Sequence, residues 1–165
     1  MKKILSVVLA AMLMLSLSAT AFAATGVGSA TSVKVTAATA EAAGSVAVDT
    51  YMCAVTVDEN GVITGVQFDC VQSKGAFDAA GAVVGEAAIQ PQTKNELGEA
   101  YGMKAISPIG KEFSEQMDAL AAWCVGKTVE EVLNLYAEDA DLKAGCTVYI
   151  GTEMIALQKA VANAK

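Results

Sequence analysis

The chain has 165 residues, of which 54% are hydrophobic, and a formal net charge of −7 because 18 acids outnumber 11 lysines. Arginine and histidine are both absent, which excludes His-ligated zinc and haem, Ser-His and Cys-His nucleophile pairs, and bidentate arginine clamps for phosphate. The acidic balance argues against nucleic acid and anionic membrane as partners. We therefore expect neither a metal site nor catalysis by side chains alone.

Residues 1–23 have the layout of a secretory signal peptide. Lys2 and Lys3 precede an apolar run over 4–17, and Ala21-Phe22-Ala23 supplies a small-x-small cleavage site. The run is too short to span a bilayer with these flanks, and no later segment is apolar enough to do so. Cleavage would remove two lysines and no acids, leaving 142 residues with a net charge of −9. We expect an extracytoplasmic protein, secreted or associated with the cell surface.

Residues 24–45 are rich in Ala, Thr, Gly and Ser, a composition typical of a flexible leader. Val33-Lys34-Val35 could add a short edge strand there. The ordered domain is predicted to occupy 46–165, a length that suits one domain with room for a substantial core.

Two half-buried strands flank a turn at 58–61. Apolar residues alternate with less apolar ones on both sides of it: Tyr51, Cys53, Val55 and Val57 before it, and Val62, Val66, Phe68 and Cys70 after it. The first set is odd-numbered and the second even-numbered, so the two share a face only if paired residues sum to an odd number. The Asp-x-x-Gly pattern of the turn recurs at 78–81, before an apolar run over 82–89. Three consecutive strands are therefore predicted to form an antiparallel meander.

A long loop is predicted over 90–106, because Gly and Pro interrupt it. Ser107-Pro108 then suits an N-cap followed by proline at the first helical position. An apolar residue recurs every three or four positions from Ile109 to Cys124, which predicts a helix with one buried face.

Gly126 is predicted to end this helix, and Thr128-Val129-Glu130-Glu131 is a capping-box signature for the next one. A short strand over 147–150 and a last helix capped by Thr152 complete the prediction. Because strands come first and helices later, we predict an α+β fold, in which two or three helices pack on one face of the meander.

The segment before the last helix reads Asp141-Leu142-Lys143-Ala144-Gly145-Cys146-Thr147-Val148. Its layout resembles the flavinylation motif of the FMN-binding domain family, in which an Asp leads into Ser-Gly-Ala-Thr. The matching residues are Asp141, Gly145 and Thr147. The departures are Ala144, Cys146 and the missing Ser or Thr after Val148.

This resemblance extends loosely over 46–165 and implies that FMN is joined to the Thr147 hydroxyl through a phosphoester bond. A flavin transferase would have to attach it from FAD, since no histidine can activate the threonine. The family transfers electrons between a membrane redox protein and an extracellular acceptor, and the flavin does the chemistry. The alternative is a degenerate relative without flavin that acts as an extracellular binding or interaction module.

A Gly-containing acidic loop borders the flavin ring in that family, and the loop with Gly98, Tyr101 and Met103 resembles it over a few residues. The resemblance implies that Tyr101 and Met103 pack on the ring, with Lys94 or Lys104 near its N1 end. The same residues also suit a loop that covers the core. The implied cofactor-binding set is Asp141, Gly145, Cys146, Thr147, Gly98, Tyr101 and Met103.

The four cysteines permit three disulfide pairings, and sequence alone does not choose among them. Cys53 and Cys70 would be diagonal neighbours on one sheet face, and Cys124 could meet Cys146 if the long helix packs beside the last strand. Each also stands where a small apolar residue would serve, so four buried thiols are the alternative. No Cys-x-x-Cys motif is present, and we therefore expect no zinc, iron–sulfur or thioredoxin-like site.

Overall fold

The computed structural model describes residues 23–85 and 92–165, where a four-stranded antiparallel sheet precedes the helices and confirms the α+β class. The strands follow one another in the order β1 (Ala24–Thr36), β2 (Gly44–Val57), β3 (Ile63–Phe77) and β4 (Val83–Val84). The helices are α1 (Lys94–Leu97), α2 (Phe113–Cys124), α3 (Val129–Leu135), α4 (Ala140–Gly145) and α5 (Gly151–Ala162). Residues 1–22 of the predicted signal peptide and 86–89 of the predicted third strand lie outside the described residues.

Strand β1 replaces most of the flexible leader expected over 24–45. Its 13 residues pair with β2 throughout, from Ala24 opposite Val57 to Thr36 opposite Ser45. Its small residues allow α5 to pack close to the sheet, and composition alone does not reveal this role. A Cβ at Gly28 would lie 2.2 Å from the carbonyl oxygen of Ala156.

The register of β2 and β3 confirms the odd–even pairing predicted from the alternation. Tyr51 lies opposite Cys70 and Cys53 opposite Phe68, so these apolar residues share one face. At the turn end, a register shift between Thr56 and Val57 places the buried Ile63 opposite Val57 in place of the predicted Val62. At the turn, the Gly61 N–H donates to the Asp58 carbonyl oxygen at 3.0 Å, and Gly61 has a φ of +76°. This left-handed conformation favours glycine, as the Asp-x-x-Gly pattern predicts.

Helices α2 and α5 cover the apolar face of the sheet. Helix α2 packs against β3, and α5 packs against β1 and β2. The core between these layers includes Cys53, Val55, Ile63, Phe68, Cys70, Met117, Leu120, Cys124, Met154 and Leu157. None of the helices in the described ranges has the length and apolar character that a bilayer crossing requires.

The starts of α1 and α2 differ from the prediction. The predicted loop over 90–106 contains α1, and it also contains 3₁₀ turns at Gly98–Tyr101 and Met103–Ala105. Helix α2 begins at Phe113 because the turn over 107–110 ends with Gly110 at a φ of +62°. Ser107 therefore does not cap this helix.

The capping box at Thr128 is confirmed, with the Thr128 N–H donating to Glu131 Oε2 at 2.7 Å. The predicted strand over 147–150 and the Thr152 cap are wrong. No strand is assigned to those four residues, and α5 starts at Gly151 after Ile150, which makes no side-chain cap hydrogen bond. The amides at 147 and 148 bind a glutamine side chain where a strand would offer them carbonyl groups.

Candidate functional site

Gln116 lies where the two segments implied as flavin contacts meet. It is in the first turn of α2, and 0% of its surface is exposed. Its Oε1 accepts hydrogen bonds from the backbone N–H of Thr147 at 2.9 Å and of Val148 at 3.2 Å. The Thr147 hydroxyl also donates to this oxygen at 3.3 Å. One buried amide therefore fixes the backbone that follows α4.

The other end of the Gln116 amide binds the loop before α2. Its Nε2 donates to the Lys111 carbonyl oxygen and the Ser107 hydroxyl, both at 3.2 Å, and lies 3.6 Å from Met103 Sδ. The buried Glu112 carboxylate accepts from the backbone N–H of Met103 at 2.9 Å and of the next residue at 3.0 Å. The loop before α2 and the segment after α4 are thus tied to the same end of one helix.

A buried cation lies beside this junction. Lys94, the first residue of α1, is 6% exposed, and its Nζ lies 3.7 Å from Asp49 Oδ1. Three aromatic ring centroids lie 5.0–5.5 Å from the ammonium, those of Phe113, Tyr101 and Tyr51. Burial lowers the pKa of this lysine. The charges of four neighbouring groups outweigh that effect and raise the pKa overall, and these groups are Cys70, Tyr101, Tyr51 and Asp49. Lys94 is therefore charged at neutral pH.

Glu153 adds a carboxyl group to the same interior. It lies in the first turn of α5 with 1% of its surface exposed, and its Oε2 has no hydrogen-bond partner in the described part of the chain. Burial raises the pKa of Glu153 to about 7, although its own backbone hydrogen bond and the charge of Lys94 oppose the shift. This carboxyl therefore gains or loses a proton near neutral pH.

Tyr51 and Cys70, which also lie in this interior, remain neutral. Burial raises the pKa of Tyr51 to about 12 and that of Cys70 to about 11. Neither is then a nucleophile at neutral pH, because the thiolate or phenolate is the reactive form. Within residues 23–85 and 92–165, no group of three potential metal ligands is found. The arrangement suits rigid positioning and proton exchange at Glu153.

Thr147 is an exposed residue four positions before the start of α5. Its neighbour Tyr149 is 84% exposed. A Cβ at Gly151 would lie 2.2 Å from the Tyr149 hydroxyl oxygen, so the phenol stands over the first turn of α5. Thr147 is thus an exposed residue whose hydroxyl donates to the buried Gln116 amide, and Tyr149 covers the neighbouring helix end.

The remaining residues of the motif lie on α4 and at its end. Gly145 allows a close approach to α2, since a Cβ there would lie 2.9 Å from Ala119 Cβ. Cys146 is buried, and burial raises the pKa of its thiol to about 11. Asp141 is exposed in the first turn of α4. Asp141 and Thr147 are therefore on the surface, and Cys146 belongs to the core.

The loop residues implied as ring contacts are engaged with the protein itself. Gly98 ends α1 with a φ of +52°. The Tyr101 ring packs edge-on against Phe113, with centroids 6.0 Å apart, and faces Lys94. Met103 is half-buried with its sulfur beside Gln116. The fold thus brings Met103 and Thr147 to one amide, while Tyr101 forms part of the cage around Lys94.

All four cysteines are buried free thiols. Cys53 and Cys70 are diagonal neighbours on the helix-covered face, as the register predicts. Burial raises the pKa of Cys53 and of Cys124 to about 12. The structure therefore favours the thiol alternative over the disulfide pairings.

Sequence reasoning missed Gln116, Glu112 and Glu153, although two of them carry a signal. Gln116 follows the buried Phe113 by three positions, and Glu153 precedes the buried Leu157 by four, so each polar residue lies on an apolar helical face. A polar residue at such a position needs a partner inside the protein. Glu112 lies before its helix and has no such periodicity.

No protein-family model and no solved structure matches the chain. A segment of 50 residues is 48% identical to part of a protein described as chlorophenol reductase, from Desulfitobacterium hafniense. The segment covers 30% of this chain and 15% of that protein. The chain thus matches only a small part of the length of this relative.

Proposed function

We propose that this protein is an exported FMN-binding-like electron carrier and that a flavin transferase attaches FMN to Thr147. The proposal rests chiefly on Gln116. Thr147 of the segment that resembles the flavinylation motif and Met103 of the loop that resembles the ring-binding loop lie 31 and 13 residues from Gln116 in sequence, and both are hydrogen-bonded to its amide. A shared buried partner keeps the two segments adjacent.

The surroundings of Thr147 suit a phosphoester at this position. The residue is exposed, and α5 begins four residues later without a side-chain cap. Uncapped amides at a helix N-terminus stabilise phosphate charge. Transfer from FAD would form the bond between Thr147 Oγ1 and phosphorus, break the pyrophosphate bond and release AMP, with the hydroxyl proton passing to the transferase. Bound FMN would supply the redox chemistry.

The chain's own residues would position the modified threonine. Gln116 holds the backbone at 147 and 148, so Thr147 projects from a rigid segment. Glu153 exchanges a proton near neutral pH and lies in the helix that starts beside it. A membrane redox protein is the proposed electron donor.

One observation favours the second candidate function, an extracellular interaction module without flavin. The Tyr149 hydroxyl stands over Gly151, where a phosphate on Thr147 would have to lie to use the first amides of α5. Flavinylation therefore requires this exposed side chain to turn away. If it does not, the same surface is a protein-binding surface with Tyr149 at its centre.

Intact mass spectrometry separates the two functions. Residues 24–165 would be produced with an active flavin transferase, and the mass and visible spectrum recorded. We expect a gain of one FMN less one water, mapped to the peptide that contains Thr147. Thr147→Ala should lose both signals, whereas Thr152→Ala, a threonine five residues further on, should retain them. If the protein remains unmodified while the transferase is active on another substrate, flavinylation is excluded and the interaction module remains as the function.

A further inference from the structure

The outer edge of β1 is occupied along its first half only. The backbone N–H and C=O of Thr25 exchange hydrogen bonds with Lys165, both at 3.4 Å. Asn163 Nδ2 donates to the Val27 carbonyl oxygen at 3.1 Å, and Lys159 Nζ donates to the Ser29 carbonyl oxygen at 2.9 Å. Helix α5 and the residues after it therefore satisfy three alternate positions of this edge.

The second half of the edge is open. Backbone groups point to the two sides of a strand alternately, so the row begun by residues 25, 27 and 29 continues through Thr31, Val33 and Val35. Among the described residues, no backbone hydrogen bond beyond those of the sheet is found for these three. The open stretch runs from Ala30 to Thr36, where β1 ends.

An apolar surface adjoins this open stretch. Val33 is 61% exposed and Val35 is 64% exposed, on the sheet face away from the helices. They lie opposite Val48 and Val46 of β2, and these four residues form what we name the valine patch. Natural edge strands are commonly protected from pairing by charged residues or proline. The patch has neither, and Lys34 points to the other face.

We propose that two copies of this protein pair through the open stretch of β1. The strands would run antiparallel about a two-fold axis at Val33. Thr31 would lie opposite Val35, and roughly six backbone hydrogen bonds would form, since each bonded pair exchanges two. The two sheets would become one, with both valine patches on the same face.

The limits of the open stretch favour a second copy as the partner. The stretch is bounded by Ser29, which Lys159 occupies, and by the end of β1 at Thr36. Val33 is its midpoint, so self-pairing uses the whole stretch in both copies. In this register, Lys34 lies opposite Ser32 and not opposite its own copy, which avoids a like-charge contact.

Sedimentation of residues 24–165 over a range of concentrations tests the pairing. Because the paired area is small and both copies are acidic, we expect a weak dimer that salt strengthens by screening repulsion. Val33→Lys places two like charges opposite each other and should raise the dissociation constant about tenfold or more. Val27→Lys is the matched control. Val27 is 66% exposed on the same face, but Asn163 already binds its backbone carbonyl group. The dissociation constant of the Val27→Lys dimer should therefore change less than about threefold.

Cysteine crosslinking checks the register independently of affinity. Val33→Cys should form an intermolecular disulfide under mild oxidation, because the proposed axis brings the two positions within bonding distance. Val27→Cys should not. Circular dichroism would verify that each variant is folded. A wild-type chain that remains monomeric up to about 1 mM, a weak-affinity limit, or equal effects at positions 27 and 33, would overturn the proposal.

Discussion

The backbone N–H of Thr147 donates a hydrogen bond to the Oε1 atom of Gln116 at 2.9 Å, although 31 residues separate the two residues in sequence. The same amide binds the loop before α2 through its nitrogen. A buried, neutral side chain thus accepts the backbone hydrogen bonds that a neighbouring strand would otherwise accept from the segment before α5. Its removal should affect the stability of the domain and the order of the proposed modification site together.

Gln116→Met tests this role. Methionine has a similar length but no hydrogen-bonding amide, so the N–H groups of Thr147 and Val148 lose their partner. We expect the free energy of unfolding, measured with urea, to fall by about 2–3 kcal/mol. Gln158→Met, an exposed substitution on α5, should change it by less than about 0.5 kcal/mol. Equal losses in the two variants would contradict the assignment.

Glu153 should make stability depend on pH. Because its pKa is raised from 4.5 to about 7 on folding, the native state binds more protons than the unfolded state between these values. The free energy of unfolding should therefore fall as pH rises through this window, by about 3 kcal/mol from this group.

Glu153→Gln should remove that part of the slope, because glutamine does not titrate. Urea unfolding at several pH values between 5 and 8 would measure it, with the exposed Glu130→Gln as control. Lys94 and Asp49 interact with Glu153 and remain in both variants. If the wild type and Glu153→Gln lose the same stability across the window, the buried carboxyl does not titrate there.

Gly28 should tolerate no side chain, because a Cβ there would lie 2.2 Å from the carbonyl oxygen of Ala156. Gly28→Ala should lower the free energy of unfolding by about 3 kcal/mol through a forced separation of β1 and α5. Gly65→Ala is the control, since nothing lies within 4 Å of its Cβ position. Thermal unfolding should show a large loss for the first variant and almost none for the second.

The four thiols should be unreactive in the folded protein. Burial raises their pKa values to about 11 for Cys70 and Cys146 and to about 12 for Cys53 and Cys124. A thiol reagent at pH 8 should therefore label none of them before unfolding and all of them afterwards, without a reductant. Labelling of fewer than four in the unfolded protein would reveal a disulfide.

Local patterns in the sequence predict much of the fold. The alternation around Tyr51 and Cys70 depends only on which face each residue occupies, and the pairing of β2 with β3 follows it. The capping box at Thr128 is equally local, because its two partners are three residues apart. The motif residues could be identified in the same way, as could the loop with Gly98, Tyr101 and Met103.

By itself, the sequence determined the fold class, the hairpin register and the capping box at Thr128, because each depends on neighbouring residues or on periodicity. Only the tertiary structure decided that residues 24–36 form a strand, since small residues become favourable there when α5 packs on them. It also decided the partners of Gln116 and the burial of Glu153 beside Lys94. Those contacts join distant segments, and a polar residue on an apolar helical face does not reveal which group will meet it.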